Sequence, residues 1–178
     1  MLSDTRIREA ESNVRTYLED GLLARRSNRA AQEMYLHNSD VSLATAHKVL
    51  SLEGPTYKPY LWVIVPAYYA MYYIANAVLL ARGYKVGDRV SHKVTSDALI
   101  ALVRGGIRKG LLEGYEDTRG DALDLTAART DDLLQSFDYE RTKRSRFQYR
   151  LDAQAEHSKA LTSLERAKTF VFEMKKLL

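Results

Sequence analysis

The chain has 178 residues, 46% of them hydrophobic, and 27 lysines and arginines against 23 aspartates and glutamates leave a net charge of +4. It has no cysteine, which excludes disulfides, thiolate zinc sites, iron–sulfur clusters and cysteine nucleophiles together, and fits a reducing cytoplasm without requiring one. Nine glycines and three prolines are too few for the turns of an all-β sandwich, and the mild positive charge permits nucleic-acid binding without demanding it. A chain of this length fits one domain with at most a small extension, and buries enough surface to need no staple. The start at Met1 lacks a basic stretch followed by an apolar core, so no signal peptide is expected.

In chain order, Ser3 to Leu23 reads as a helix capped by Ser3 or Asp4, with Ile7, Val14, Leu18 and Leu22 at helical spacing and Gly21 weakening its end. A second helical stretch covers Asn28 to Leu52, with an expected break at Asn38-Ser39-Asp40 and a firm stop at Gly54-Pro55. The central helix is expected from Lys58 to Arg82. Its residues Leu61 to Ala81 carry no charge, long enough for a membrane span. Four tyrosines, Asn76 and Pro66 inside the run favour instead a core helix surrounded by others, with no membrane association. Pro66 is expected to kink that helix or to mark its start near Val65, Gly83 to end it, and a buried Asn76 to find a partner. The paired tyrosines Tyr68, Tyr69, Tyr72 and Tyr73 read as core or dimer packing before a nucleotide cage.

Tyr84 to Val90 reads as a loop, Val90 to Val103 as a helix, and Gly105-Gly106 as a break. Ile107 to Leu112 is expected to be one short turn ended by Gly114, and Glu116 to Asp121 a polar, exposed stretch. Long helices follow over Ala122 to Tyr149 and over Ala153 to Leu177, the latter with a stripe of Leu161, Leu164, Ala167, Phe170, Val171 and Met174. Between them, Arg141 to Arg150 holds five basic residues and no acidic one, whereas Asp117 to Asp132 has five aspartates and two arginines. No repeat, glycine-rich phosphate loop, paired-carboxylate signal or nucleophilic serine signature occurs, and His37, His47 and His92 have no metal-ligand spacing. Neither a metal nor a cofactor is expected.

Three pieces in order resemble the HEPN family: the helix Ala67 to Gly83 with its aromatic pairs and glycine stop, Ser91-His92-Lys93 opening the next helix, and Arg144-Ser-Arg-Phe-Gln-Tyr149 followed by Ala167-Lys-Thr-Phe170-Val171. The last resembles the Arg-x-x-Ala-Asp-Tyr signature of one branch. The resemblance implies an all-α, up-and-down bundle of five to six helices over residues 28–178, with residues 1–27 as an N-terminal helical extension. It also implies a cytoplasmic homodimer directed at RNA, in a toxin–antitoxin or defence system with a nucleotidyltransferase-type protein partner. Active members resemble one another in an Arg-x(4–6)-His motif and cleave RNA without metal. In this chain Tyr149 stands where others place the histidine, and Gln148 replaces the aspartate. The formal match to the motif is Arg150 with His157.

Such cleavage needs a base for the 2′-hydroxyl proton and a cation for the phosphorane, roles that suit histidine and arginine. Arg150 and His157 form one candidate pair, Arg144 and Tyr149 the other, with Arg141, Lys143 and Arg146 as nucleic-acid contacts. The competing readings are solvated residues at a helix junction where Asp152 caps the last helix, a tyrosine anchored between helices, and an ordinary charged face. A non-catalytic dimer that binds a protein partner or a nucleotide is the alternative function.

Overall fold

In a computed structural model of the protein, residues 2–137 and 145–178 are described, those of 125–137 and 145–155 by backbone alone. Among them the chain forms six α-helices and one two-stranded antiparallel sheet. Helix α1 (Asp4–Glu19) is capped by Ser3, whose hydroxyl accepts from the Arg6 N–H at 3.2 Å. It ends before Gly21, which takes the left-handed conformation at φ 71°. Strand β1 (Leu23–Arg25) then pairs with β2 (Tyr84–Val86), Leu23 opposite Val86. Three residues per strand are too few to leave an alternation pattern, and the second strand falls where the sequence reads as loop.

Helix α2 (Arg29–Leu50) starts at an Asn28 cap and runs unbroken through Asn38-Ser39-Asp40. The expected break fails because Ser39 faces a neighbouring helix instead of capping a new one. It is fully buried, and its hydroxyl donates to the Ala70 carbonyl across the interface at 2.8 Å.

Helix α3 (Tyr60–Ala81) is the core of the molecule, with 15 of its residues buried and α2, α5 and α6 packed around it. It begins at Tyr60, so Pro66 lies within it and does not mark its start. Its most apolar 18-residue window is 78% buried, as in a core helix. Asn76 has the partners it needs: its amide donates to the Tyr72 carbonyl at 2.9 Å and to Thr95 Oγ1 at 3.2 Å. Gly83, at φ 81°, stops the helix.

Helix α4 (Ser91–Ala98) opens the segment expected to be helical to Val103, but the backbone widens to a π-turn over Leu99–Val103 and tightens to a 3-10 turn over Arg104–Gly106. Helix α5 (Lys109–Phe137) overturns two expectations. Neither Gly114 nor the polar run Glu116 to Asp121 interrupts it. Leu112, Tyr115, Thr118 and Ala122 recur at three- and four-residue spacing and are all buried, which draws that run into a packed face.

The final helix α6 (Ser145–Lys175) already includes residues 145–152, ahead of the expected Ala153 start, and α5 is described to Phe137. Asp152 therefore lies inside α6 and is not its cap. Leu164, Ala167, Phe170, Val171 and Met174 are buried as the stripe predicts, while Leu161 points outward at 41% exposure. Ala160 and Ser163 complete the buried side in its place.

Candidate functional site

The turn between α2 and α3 meets α6 at His157. Glu53, just after α2, places Oε2 3.5 Å from His157 Nε2. The other oxygen of Glu53 accepts from the Tyr60 hydroxyl at 2.6 Å and from Lys58 Nζ at 3.3 Å. The Tyr60 ring lies tilted against the imidazole, with centroids 5.1 Å apart. The Tyr60 hydrogen bond leads in holding the Glu53 carboxyl below its ordinary range, with Lys58 and His157 adding to it. Burial and the bond to Glu53 push Tyr60 up to about 12, so this phenol is a donor at neutral pH. His157 remains half-buried. It is thus a histidine oriented by a carboxylate and accessible from one side, the arrangement of a positioned acid–base group.

Of the other residues singled out from the sequence, Arg146, Tyr149 and Arg150 lie on α6, with only their backbone described. Arg150 and His157 are on one uninterrupted helix, seven residues or about two turns apart. Arg141, Lys143 and Arg144 lie outside the described residues. Glu53, Lys58 and Tyr60 escape sequence reasoning. A charged residue in a Leu-Glu-Gly-Pro turn carries no periodic signal, and nothing in the order of residues shows that it meets a histidine about a hundred positions later.

A second cluster joins α3, α4 and α5. His92, one residue into α4, has Nδ1 2.8 Å from the Tyr68 hydroxyl, and its ring lies 4.5 Å from that of Tyr72 and 5.6 Å from that of Tyr69. Burial and then nearby Arg119 lower the pKa of His92, favouring the neutral ring. Burial raises Tyr68 to about 12, so its hydroxyl keeps its proton. With Tyr68 as donor to Nδ1, the imidazole proton sits on Nε2. Fully buried Tyr115 backs Tyr68, ring centroids 5.9 Å apart, and its hydroxyl has no well-aligned partner among the described residues. Tyr68 and Tyr72 are thus buried in the core and Tyr69 and Tyr73 half-buried against it, and together they surround the histidine of the Ser91-His92-Lys93 piece.

A third polar group is structural. Asp97 on α4 is fully buried; Oδ2 accepts from Tyr17 at 2.8 Å and Asn13 at 2.9 Å, and Arg6 Nη2 lies 2.7 Å from Oδ1. Arg6 also donates to Ser96 and Glu116, and Ser96 donates to Glu116. All of α1's contributions to this network serve to clamp it to α4 and α5.

No family model matches the chain, and no curated protein or solved structure matches it either.

Proposed function

We propose that the chain is an RNA-directed protein of the HEPN kind, a cytoplasmic homodimer that acts as a metal-independent endoribonuclease or as a form of one reduced to RNA binding. The observation that carries this reading is the Glu53–His157 pair, 3.5 Å apart, on the same unbroken helix as Arg150. Five basic residues within Arg141 to Arg150 lead into that helix, which suits a phosphate backbone. In the reaction, His157 takes the 2′-hydroxyl proton and the 2′-oxygen attacks phosphorus. The bond to the 5′-oxygen breaks, leaving a 2′,3′-cyclic phosphate, and the leaving oxygen gains a proton. Arg150 meets the charge that builds on the phosphate oxygens. Glu53 orients His157 and stabilises its imidazolium form. A nucleotidyltransferase-type protein is the partner that accompanies this reading.

The test is a single-stranded RNA incubated with pure protein in EDTA, alongside His157→Ala and Glu53→Gln. Cleavage slowed by about a hundredfold or more in His157→Ala supports the acid–base role. RNA that is bound but left intact assigns the reduced form. RNA neither cut nor retarded in a gel overturns the proposal.

A further inference from the structure

Arg119 has no ion pair among the described residues. It is half-buried on α5, and its Nε is buried with no hydrogen-bond partner among the described residues. The carboxylates nearest in sequence are engaged elsewhere: Glu116 with Arg6 at 3.4 Å, Asp117 with Arg166 at 2.9 Å, and Asp121 with Lys159 at 3.1 Å. A guanidinium partly withdrawn from water and left unpaired is costly, and sites that tolerate the cost often hold an anion.

Its surroundings select the kind of anion. Arg119 lies one turn after Tyr115 on α5, whose ring is 5.9 Å from that of Tyr68, the hydrogen-bond partner of His92. The only hydrogen bond of His92 among the described residues is through Nδ1, to Tyr68, which leaves Nε2 available as a neutral donor on a half-buried ring. The first turn of α4, where His92 sits, has no side-chain cap. The rings of Tyr69 and Tyr72 flank the imidazole, Tyr69 being partly exposed. A planar fork of donors on α5 and a neutral N–H donor on α4 suit the oxygens of a phosphate ester, and the tyrosine rings suit the planar group such an ester carries.

We propose that Arg119 and His92 form a phosphate-ester site, with Tyr68 fixing the imidazole and the rings of Tyr69 and Tyr72 flanking it. It stands on α3, α4 and α5 and does not depend on the reading of α6. The ester belongs either to a free nucleotide or to an RNA backbone.

Calorimetric titrations with inorganic phosphate, 5′-AMP, adenosine and a short oligouridylate distinguish these sources, with the imidazole signals of His92 followed by NMR. The expected result is that a phosphate-bearing probe binds and shifts the His92 signals while adenosine does not. Tighter binding of AMP assigns a nucleotide, and tighter binding of the oligouridylate assigns RNA. Arg119→Gln should weaken the best probe by about tenfold or more, with Arg119→Lys in between. His157→Ala should leave the phosphate-induced shift of the His92 signals unchanged, which separates this site from the one on α6. Arg119→Gln should also melt no lower than the wild type, because the charge it removes has no partner. The proposal is overturned if no phosphate-bearing probe moves the His92 signals, if Arg119→Gln binds as the wild type does, or if that variant melts several degrees lower.

Discussion

Replacing Arg6 with methionine isolates the energetics of the one carboxylate buried among ion-paired groups on α4. Asp97 is fully buried, and Arg6, at 2.7 Å, is the only positive charge that touches it among the described residues. Breaking a buried pair from one side costs roughly 3–5 kcal/mol, because the remaining charge is stranded away from water. Two features place the cost at the low end. Tyr17 and Asn13 still donate to Oδ2, and Arg6 is itself 24% exposed, so water reaches one side of the pair. The expected loss is about 3 kcal/mol, a large share of the roughly 5–15 kcal/mol that holds such a domain together. In a thermal melt that is a fall of about 6–12 °C, and urea unfolding should give the same figure. Removing both charges, as Arg6→Met with Asp97→Asn, should recover most of the loss, since an amide can keep the bond from Tyr17 without a stranded charge. A single Arg6→Met variant that loses less than about 1 kcal/mol would refute the reasoning, as would a double variant no more stable than the single.

The other predictions concern the remaining polar positions. His92 has a folded pKa below its unfolded value near 6.5, so the unfolded chain takes up its proton first, and the stability due to this group falls as pH drops below about 6.5. The groups facing it are Arg119, Tyr68, Tyr69 and Tyr72. Urea midpoints at pH 7.5 and 5.5 should therefore differ more in the wild type than in His92→Gln; equal differences would refute the assignment. Ser39→Ala removes the hydroxyl that ties α2 to α3 and should cost about 1 kcal/mol by urea unfolding, whereas no loss would mean that the bond contributes nothing. Val90 is exposed at 62% and held at φ 44°, a left-handed conformation costly for a β-branched residue. Val90→Gly should raise stability by about 0.5–1 kcal/mol after the entropic cost of glycine, and a lower melting temperature would contradict this.

What was legible in the sequence was whatever a single segment determines alone. The uncharged run of α3, the glycine stop at Gly83, the Ser3 and Asn28 ends of the first two helices and the stripe of α6 are local patterns. The misreadings share a different physical cause. Ser39 and the run around Glu116 have the chemistry of breaks and loops, and tertiary partners overrule it: a carbonyl on α3 for the serine, and a buried face of Tyr115 and Thr118 for the polar run. Glycine-based punctuation fails in α5 for the same reason, because a weak local penalty of about 1 kcal/mol is offset by burial of large side chains such as Tyr115 and Leu112.

The candidate sites follow the same division. His157 stands out because, with Arg150, it matches the motif that the HEPN resemblance implies, and the two lie on one helix, where sequence distance and spatial distance are tied together. The groups that give it chemical character, Glu53 and Tyr60, come from a turn remote in sequence. Arg119 follows no pattern, being a lone arginine in an acidic stretch, and His92 is quoted only as part of the Ser91-His92-Lys93 piece. Arg119 becomes informative only once the fold shows that Glu116, Asp117 and Asp121, the acids nearest to it in sequence, have other partners. A charge is read as functional by its missing counter-ion, and that absence is a property of the folded arrangement with no counterpart in a linear string of residues.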